Sequence, residues 1–350
     1  MEQLKLNETP VRTSRNFGIN NIKLEQIELP EHVAKFENVN ITSKNGNAII
    51  SENTDKINLT YGNGKILEDQ NNRMANNKIK IESNENDEIN IVYDFDDNNV
   101  NLLNQINIIA NGNIDVIVKY VSSTNKACFH NGIINVVAEK DSKVNVFVVN
   151  LLNEESQNFE SFENEIKDNA NVNYTIIDIG GKNSISNYYT NIVGVNGNND
   201  IKTIYLGTDN QIKDINYIAE LRGEKSEVDI DVQGALNNNA KKNFKGTIDF
   251  KKGCKKAKGN ENEYCMLLSD EARSLALPML LCTESDVEGN HSTASGKAQM
   301  SELFYIMSRG FSYKEAIKLI VKANFNKIID RINSEELKNE ILQEIDRRLD

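Results

Sequence analysis

The side chains of this chain that are suited to metal or redox chemistry are few, and one histidine stands out among them. The sequence has three histidines and four cysteines in 350 residues. His291 is flanked by Asn290 and Ser292 and follows an acidic stretch, so we expect its imidazole to be accessible. Imidazole is a common ligand of iron and other transition metals, and it titrates near neutral pH. His291 is therefore our first candidate for a metal ligand.

The four cysteines do not form a recognisable motif. They lack C-x-x-C spacing, which in a reducing compartment favours free thiols over a disulfide framework. Cys265 and Cys282 are typical of small buried apolar residues. Cys254 lies in the basic run Lys251–Lys258, which is either a solvated turn or a setting in which nearby ammonium groups lower the pKa of the thiol.

The elements that must position these residues are mostly short strands. From about Ile89 to Leu268, runs rich in Val, Ile, Tyr and Thr begin about every 11–16 residues, with Asn, Asp, Gly, Ser and Lys between them. We find no amphipathic helices between these runs, which argues against a βαβ arrangement. A sandwich and a β-solenoid both fit. The abundant Asn favours the solenoid, because Asn side chains can stack in ladders between coils.

We expect a loop that carries His291, and after this residue the apolar period becomes helical. The pattern predicts a helix over Gln299–Arg309 that ends at Gly310. A second helix is expected over Tyr313–Ile332, with a capping-box signature that begins at Ser312. A last helix follows and reaches Leu349. We therefore divide the chain into a mixed N-terminal segment (1–85), a β core (86–290) and a C-terminal helical domain (291–350). The N-terminal segment should be irregular and packed on the main body, apart from Lys78–Ser83, whose alternation suggests a strand.

Composition and missing motifs exclude several classes of function. A net charge of −12 argues against a nonspecific binder of nucleic acid or of an anionic membrane. No apolar run approaches 18 residues and the first residues lack a signal-peptide core, so we expect a cytoplasmic protein without a membrane span. The sequence has no Walker, dinucleotide-binding, H-E-x-x-H or G-x-S-x-G motif. We therefore expect no enzyme activity in this chain, and any ATP hydrolysis should belong to a partner subunit.

An ordered set of short motifs in the last quarter of the chain resembles the C-terminal region of the SufB/SufD family, the scaffold proteins of the SUF iron–sulfur cluster assembly machinery. Each piece is weak alone, but the order and spacing together are specific. The matching pieces are LLSD (Leu267–Asp270), Pro278, Asp286 with Val287, His291 in NHSTASG, and ELFYIMSRG (Glu302–Gly310).

The resemblance implies a right-handed parallel β-helix with a C-terminal helical domain, and this decides between the two architectures. It also implies a SufD-like member, because SufB has Glu directly after its histidine where this chain has Ser292. In SufD-like relatives the residue aligned with His291 is functional at the interface with SufB. The functional cysteine of SufB aligns near Glu263. Residues two apart in a strand share a face, so Cys265 becomes a second candidate for a metal ligand or a sulfur-handling thiol.

The same resemblance implies the partners. We expect a non-catalytic scaffold that pairs with a SufB-like subunit, or with itself as a homodimer, and that binds a SufC-like ABC ATPase. A transient iron–sulfur cluster would be assembled at the subunit interface, and a reduced flavin in the complex is left open. The helices would carry the ATPase-binding surface, or would only cap the open end of the solenoid. The expected partner-binding residues are Leu303, Phe304, Tyr305, Arg309, Gly310, Ile317 and Ile320.

Two alternatives of other classes remain. One is a β-solenoid carbohydrate-active enzyme, a lyase or hydrolase, which needs clustered carboxylates or basic residues along one face of the solenoid. The other is a homodimeric structural β-helix protein without a metal.

Overall fold

The protein is a parallel β-solenoid with helices packed on one side, as described by a computed structural model that covers residues 3–25 and 27–350. Each coil contributes one strand to each of two sheets. The sheet of the even-numbered strands, here the even sheet, contains β6 (Asp87–Phe95), β8 (Asn113–Ser122), β10 (Lys143–Leu151), β12 (Asn171–Asp178), β14 (Asn198–Gly207), β16 (Glu227–Leu236), β18 (Ala257–Leu267) and β20 (Val287–Gly296). The odd sheet contains β5 (Asn77–Ser83), β7 (Asn101–Ala110), β9 (Phe129–Ala138), β11 (Gln157–Ile166), β13 (Asn183–Ile192), β15 (Ile212–Leu221), β17 (Lys241–Phe250) and β19 (Arg273–Cys282). The prediction of a β-helix core is thereby confirmed.

The turns between strands show why the chain is rich in Asn. Asp141, Asn169 and Asn196 all have positive φ, a conformation that Asn and Asp tolerate better than most residues. Their side chains form a ladder: Asn169 Nδ2 donates to Asp141 Oδ1 at 2.8 Å, and Asn196 Nδ2 donates to Asn169 Oδ1 at 3.1 Å. Stacked turns thus hold successive coils in register, as the sequence predicted.

The N-terminal end of the solenoid is closed. The strands β3 (Val39–Ser43) and β4 (Ile49–Glu52) pair antiparallel with β6 and β5 and end the two sheets. Phe36 is buried against Tyr93 and Phe95, with ring centroids 5.9 and 5.1 Å apart. Together they cover the apolar interior of the first coil.

The first residues pack on the outer face of the odd sheet. They include β1 (Leu4–Leu6), β2 (Ile22–Leu24) and the helix α1 (Lys65–Met74), whose apolar side chains meet Leu103, Phe129, Phe159 and Ile185 of the odd sheet. Lys78–Ser83, predicted as a strand, belongs to β5. The expectation of an irregular segment up to residue 85 was otherwise wrong, because these short elements have too few residues to show a period.

Three C-terminal helices lie beside the solenoid in the described part of the chain: α2 (Met300–Ser308), α3 (Tyr313–Ile329) and α4 (Glu335–Arg348). Gly310 has φ 99° after α2, and the capping box at Ser312 is present, which confirms both predictions. None of the described helices is long and apolar enough to cross a membrane.

These helices pack on the outer face of the even sheet. Their apolar side chains meet Ile177, Ile204 and Ala235, which point outward from three successive strands. Arg348 of α4 is buried and donates to the carbonyl oxygens of Leu152 and Ile179 at 2.7 and 3.0 Å. The alternative that the helices cap the end of the solenoid was therefore wrong.

The placement of His291 in a loop was also wrong. The residue lies in the middle of β20, which pairs in parallel with β18 along its whole length. The strand was missed because its sequence, VEGNHSTASG, has no apolar alternation. The strands of the solenoid run from Asn77 to Gly296, and the division of the chain at residues 85 and 290 stays a prediction.

Candidate functional site at the open end of the solenoid

The C-terminal end of the solenoid is open. β19 and β20 are the last strands of the two sheets, and each pairs with a neighbour on one side only. Nearly every residue of β20 is exposed, although those of the strands beneath it are mostly buried. The free edges present unpaired backbone donors and acceptors, which are a template for pairing with another chain.

His291 lies on this end and faces the interior. It is in register with Glu261 of β18, which is in register with Ile230 of β16, and both of these side chains are fully buried. The interior-facing column therefore ends at His291. The imidazole is exposed because the described chain adds no coil above it. His291 therefore stays a candidate metal ligand.

Glu261, directly beneath His291, is an unusual buried acid. Neither carboxylate oxygen has a hydrogen-bond partner among the described residues. A Cβ atom at Gly246, on the facing strand β17, would lie 2.2 Å from Glu261 Oε1, so the absence of a side chain there makes room for the carboxylate. Burial, followed by the nearby charge of Glu263, raises the pKa of Glu261 to about 8.

Polar side chains continue from this end deep into the solenoid along one corner of its interior. We call these side chains the polar seam. On the odd sheet they stack in register as His130, Asn158, Ser184, Lys213, Lys242 and Ser274. Facing them on the even sheet are Tyr120, Asn150, Asp178, Tyr205 and Cys265, in one column.

Ion pairs and hydrogen bonds join the members of the polar seam. Lys213 Nζ lies 2.9 Å from Asp178 Oδ1, and both side chains are buried. Nearer the open end, Lys242 Nζ lies 2.7 Å from Glu263 Oε1, which also accepts a hydrogen bond from Tyr205 at 3.0 Å. Burial lowers the pKa of Lys213 despite its carboxylate partner. The interior of these coils is therefore charged but internally paired.

The far end of the polar seam contains a buried histidine beside a buried acid. His130 Nδ1 lies 2.6 Å from Asn158 Oδ1 and 3.8 Å from Glu160 Oε2, in the side-chain layer next to Tyr120. Burial lowers the pKa of His130 to about 4 and raises that of Glu160 to about 8. At neutral pH both groups are neutral, so this layer carries no net charge.

The cysteines divide between the interior and the rim. Cys265 is fully buried in the polar seam, and burial raises the pKa of its thiol. Cys254 is also buried, and burial followed by the charge of Glu284 raises its pKa to about 11, so the alternative of a lowered pKa was wrong. The basic run leaves its ammonium groups in solvent while the thiol points inward. Cys282 is exposed at the rim, and its Sγ lies 2.8 Å from the carbonyl oxygen of Glu284.

The expected partner surface on the helices is partly buried. Leu303, Ile317 and Ile320 have at most 9% of their surface exposed and belong to the helix–sheet core. Phe304 and Tyr305 are 75% and 59% exposed, and Arg309 and Gly310 are also exposed. Other exposed apolar side chains of the same region are Met300, Met307, Phe311, Tyr313 and Leu319.

A groove separates α2 from α3 beside these exposed side chains. It has a volume of about 670 Å³ and is lined by Tyr305, Ile306, Leu319 and Ala323, among others. Exposed apolar patches of this kind mark interaction surfaces in many proteins. The helices thus present a second candidate surface, separate from the open end of the solenoid.

The fold and its open last coil place the chain in the class of parallel β-solenoids with a helical appendage, and comparison with known proteins identifies the family. Residues 93–324 match the family model described as "SUF system FeS cluster assembly, SufBD core domain". The chain belongs to this family. The match spans the solenoid from β6 onward together with α2 and most of α3.

Among curated proteins the chain is similar to SufD from Bacillus subtilis, with 24% identity over 262 residues, which cover 74% of this chain and 60% of that protein. It is also similar to a SufBD family protein from Pyrococcus horikoshii, with 33% identity over 157 residues, 44% of this chain and 34% of that protein. SufD from Plasmodium berghei is 24% identical over 239 residues, 67% of this chain and 18% of that protein. The chain therefore spans 60% or less of the length of these relatives. The names of the two SufD proteins support the SufD-like assignment within the family.

Sequence reasoning missed Glu261 and the polar seam. Glu261 lies in the run GNENEYC, where each carboxylate looks like a solvated turn residue. Its place in one strand with Glu263 and Cys265 was the available signal, because residues 261, 263 and 265 then share one face. That face is the buried one.

Proposed function

We propose that this chain is a SufD-like scaffold subunit in iron–sulfur cluster assembly, and that it pairs through the open end of its solenoid. The observation that carries the proposal is the contrast between the two ends. Phe36 and the antiparallel strands β3 and β4 close one end, whereas β19 and β20 leave the other open. Two long free edges on one face favour pairing with a similar coil.

The pairing partner is a SufB-like subunit or a second copy of this chain. An apolar side chain on the last strand supports such a contact, since Leu275 of β19 is 40% exposed. In this arrangement His291 lies at the interface and ligates iron of the nascent cluster, which is the cargo of the assembly. Cys265, buried below the last coil, remains the second candidate for handling iron or sulfur.

The helices α2 and α3 bind a SufC-like ATPase in this proposal. Support comes from the exposed apolar residues Phe304 and Tyr305 beside the groove between the helices. ATP hydrolysis belongs to that partner, and this chain acts without catalytic residues of its own.

Pairing through the open end is tested by a lysine placed on the free edge. Ala294→Lys adds an exposed charge to β20, and Ser51→Lys adds the same charge to β4 at the closed end. We expect Ala294→Lys to abolish the complex in size-exclusion chromatography with co-expressed partners, and Ser51→Lys to leave it intact. Equal behaviour of the two variants would refute pairing through this end.

The role of His291 is tested by anaerobic reconstitution of the complex with iron and sulfide. We expect His291→Ala to reduce iron content and cluster absorption while the complex stays assembled. His32→Ala, which removes an exposed histidine outside the solenoid, should change neither. An unchanged cluster in His291→Ala would remove this residue from the site.

The ATPase contact is tested by replacing each of two exposed phenylalanines, one at a time, with glutamate. Phe304 is 75% exposed on α2, and Phe17 is 71% exposed in the N-terminal segment. Phe304→Glu should prevent co-purification of the SufC-like partner, and Phe17→Glu should not. Loss of the partner in both variants, or in neither, would contradict the proposed surface.

A further inference from the structure

A buried carboxyl group without a partner is costly whether it is charged or protonated, and Glu261 is one. Its side chain is fully buried, and both oxygens lack hydrogen-bond partners among the described residues. Two other buried acids in the same coils are paired with lysines, Asp178 with Lys213 and Glu263 with Lys242. Removing a carboxylate from water without a donor or a cation costs several kcal/mol in general. The position therefore calls for an explanation beyond packing.

The surroundings of Glu261 leave one direction open. Ile230 lies below it in register, and Gly246 lies across the interior, where a Cβ atom would be 2.2 Å from Oε1. The buried ammonium of Lys242 is engaged by Glu263. Above Glu261, in register on the adjacent strand, is only the exposed His291. Nothing in the described chain lies above His291.

We infer that Glu261 and His291 together form half of a binding site for a divalent transition-metal ion of the Fe²⁺ class at the open end of the solenoid. The two side chains point the same way from neighbouring parallel strands, which are about 4.8 Å apart. One ion between them can contact an imidazole nitrogen and a carboxylate oxygen. The ion would supply the positive partner that Glu261 lacks.

The donor set fits this class of metal. Imidazole with carboxylate is a common ligand combination for non-haem iron, whereas thiolate-only sites favour other metals and clusters. Within the described residues no three His, Cys, Asp or Glu side chains are arranged to hold a metal ion. The remaining ligands must therefore come from water or from the chain that meets this end. The inference rests on the proposed function for the identity of that partner, but the two ligands belong to this chain.

The pair is tested by metal binding to the purified full-length chain. Fe²⁺ under argon, and Co²⁺ as a spectroscopic substitute, are titrated by calorimetry and by visible absorption. We expect one bound ion, with affinity reduced roughly tenfold or more in both Glu261→Gln and His291→Ala. Glu288→Gln, which removes an exposed carboxylate from the same strand β20, should leave the affinity unchanged. Glu261→Gln is nearly isosteric, so folding should be preserved.

Gly246→Ala provides a second variant that keeps both ligands. The new methyl group displaces the Glu261 carboxylate, so we expect the affinity to fall and the Co²⁺ spectrum to change. An unchanged metal affinity in both Glu261→Gln and Gly246→Ala, or no metal binding by the wild type, would overturn the inference.

Complex formation by the same variants is measured separately. If Glu261→Gln forms the complex normally and also binds metal with unchanged affinity, only this inference is refuted. A chain that binds metal through both side chains but never pairs refutes only the proposed function.

Discussion

The buried ion pair between Lys245 and Asp214 should hold the N-terminal segment onto the solenoid. Lys245 Nζ lies 2.5 Å from Asp214 Oδ1, and both side chains are fully buried. The same ammonium donates to the carbonyl oxygen of Asn7 at 2.9 Å, and Asn7 Nδ2 donates to Asp214 Oδ1 at 2.6 Å. Asn243 Nδ2 donates to the other oxygen, Oδ2, at 3.0 Å. Three groups from two segments, the N-terminal segment and β17, thus meet at one carboxylate of β15.

Lys245→Met removes the ammonium and leaves the carboxylate buried. Two amide donors remain, which cannot replace a positive charge, so we expect a loss of about 3–5 kcal/mol in the free energy of unfolding. Adding Asp214→Asn removes the stranded charge and should restore part of that loss. Each single substitution therefore overstates the contribution of the ion pair to the free energy of unfolding. The double-mutant cycle measures the coupling energy between the two residues.

Urea unfolding followed by circular dichroism gives the stability, and trypsin cleavage in the N-terminal segment gives local detachment. Lys245→Met should lower the unfolding midpoint and speed up cleavage at Lys5 and Arg12. Lys241→Met, an exposed residue of the same strand, serves as the control and should do neither. A double mutant less stable than Lys245→Met alone would refute the argument from the stranded charge.

Three further predictions follow from single contacts. The pKa of Glu160 is raised from 4.5 to about 8, so the protonated side chain favours the folded state at low pH, and this stabilisation is lost as the pH rises toward 8. The urea midpoint of the wild type should therefore fall between pH 5 and pH 9, and Glu160→Gln should make this fall smaller. A Cβ atom at Gly234 would lie 1.8 Å from Tyr205 Cζ, so Gly234→Ala should lower the melting temperature, and addition of Tyr205→Leu should recover part of it. Ser312→Ala removes the capping box with Glu315 and should cost about 1 kcal/mol, measured by thermal unfolding against Ser301→Ala as a control.

Much of the fold could be predicted because, in most strands, the buried positions are the apolar positions of the sequence pattern. In β8 and β10, for example, branched apolar residues fill the interior and Asn or Asp occupy the turns, so period and turn chemistry point to the same strands. The helices were equally clear, with observed ends within three residues of the predicted ones, as for α3 at Ile329 against Ile332. The capping residues Ser312 and Ser334 explain this accuracy, because each accepts a backbone N–H at the start of a helix.

The site could not be predicted in the same way, for a physical reason. Hydrophobic alternation reports strands whose inward side chains are apolar. β11 reads as QNFESFENEI because its inward residues include Asn158 and Glu160, so it lacks the apolar alternation of a strand. β20 shows no alternation because the inward side chains of a last coil face solvent. The two strands that depart from the pattern are those with the most distinctive chemistry.

That coincidence has an energetic meaning. An apolar interior would be more stable than one containing Lys213 with Asp178 and Lys242 with Glu263, since buried ion pairs seldom exceed the stability of well-packed apolar side chains. The coils near the closed end follow the apolar rule, and the polar seam begins at His130 and extends to the open end. The coils that lead toward β20 are thus less stable than they would be with an apolar interior. Glu261, unpaired one strand below His291, is the extreme of this trend, and a metal ion held at the open end would satisfy it.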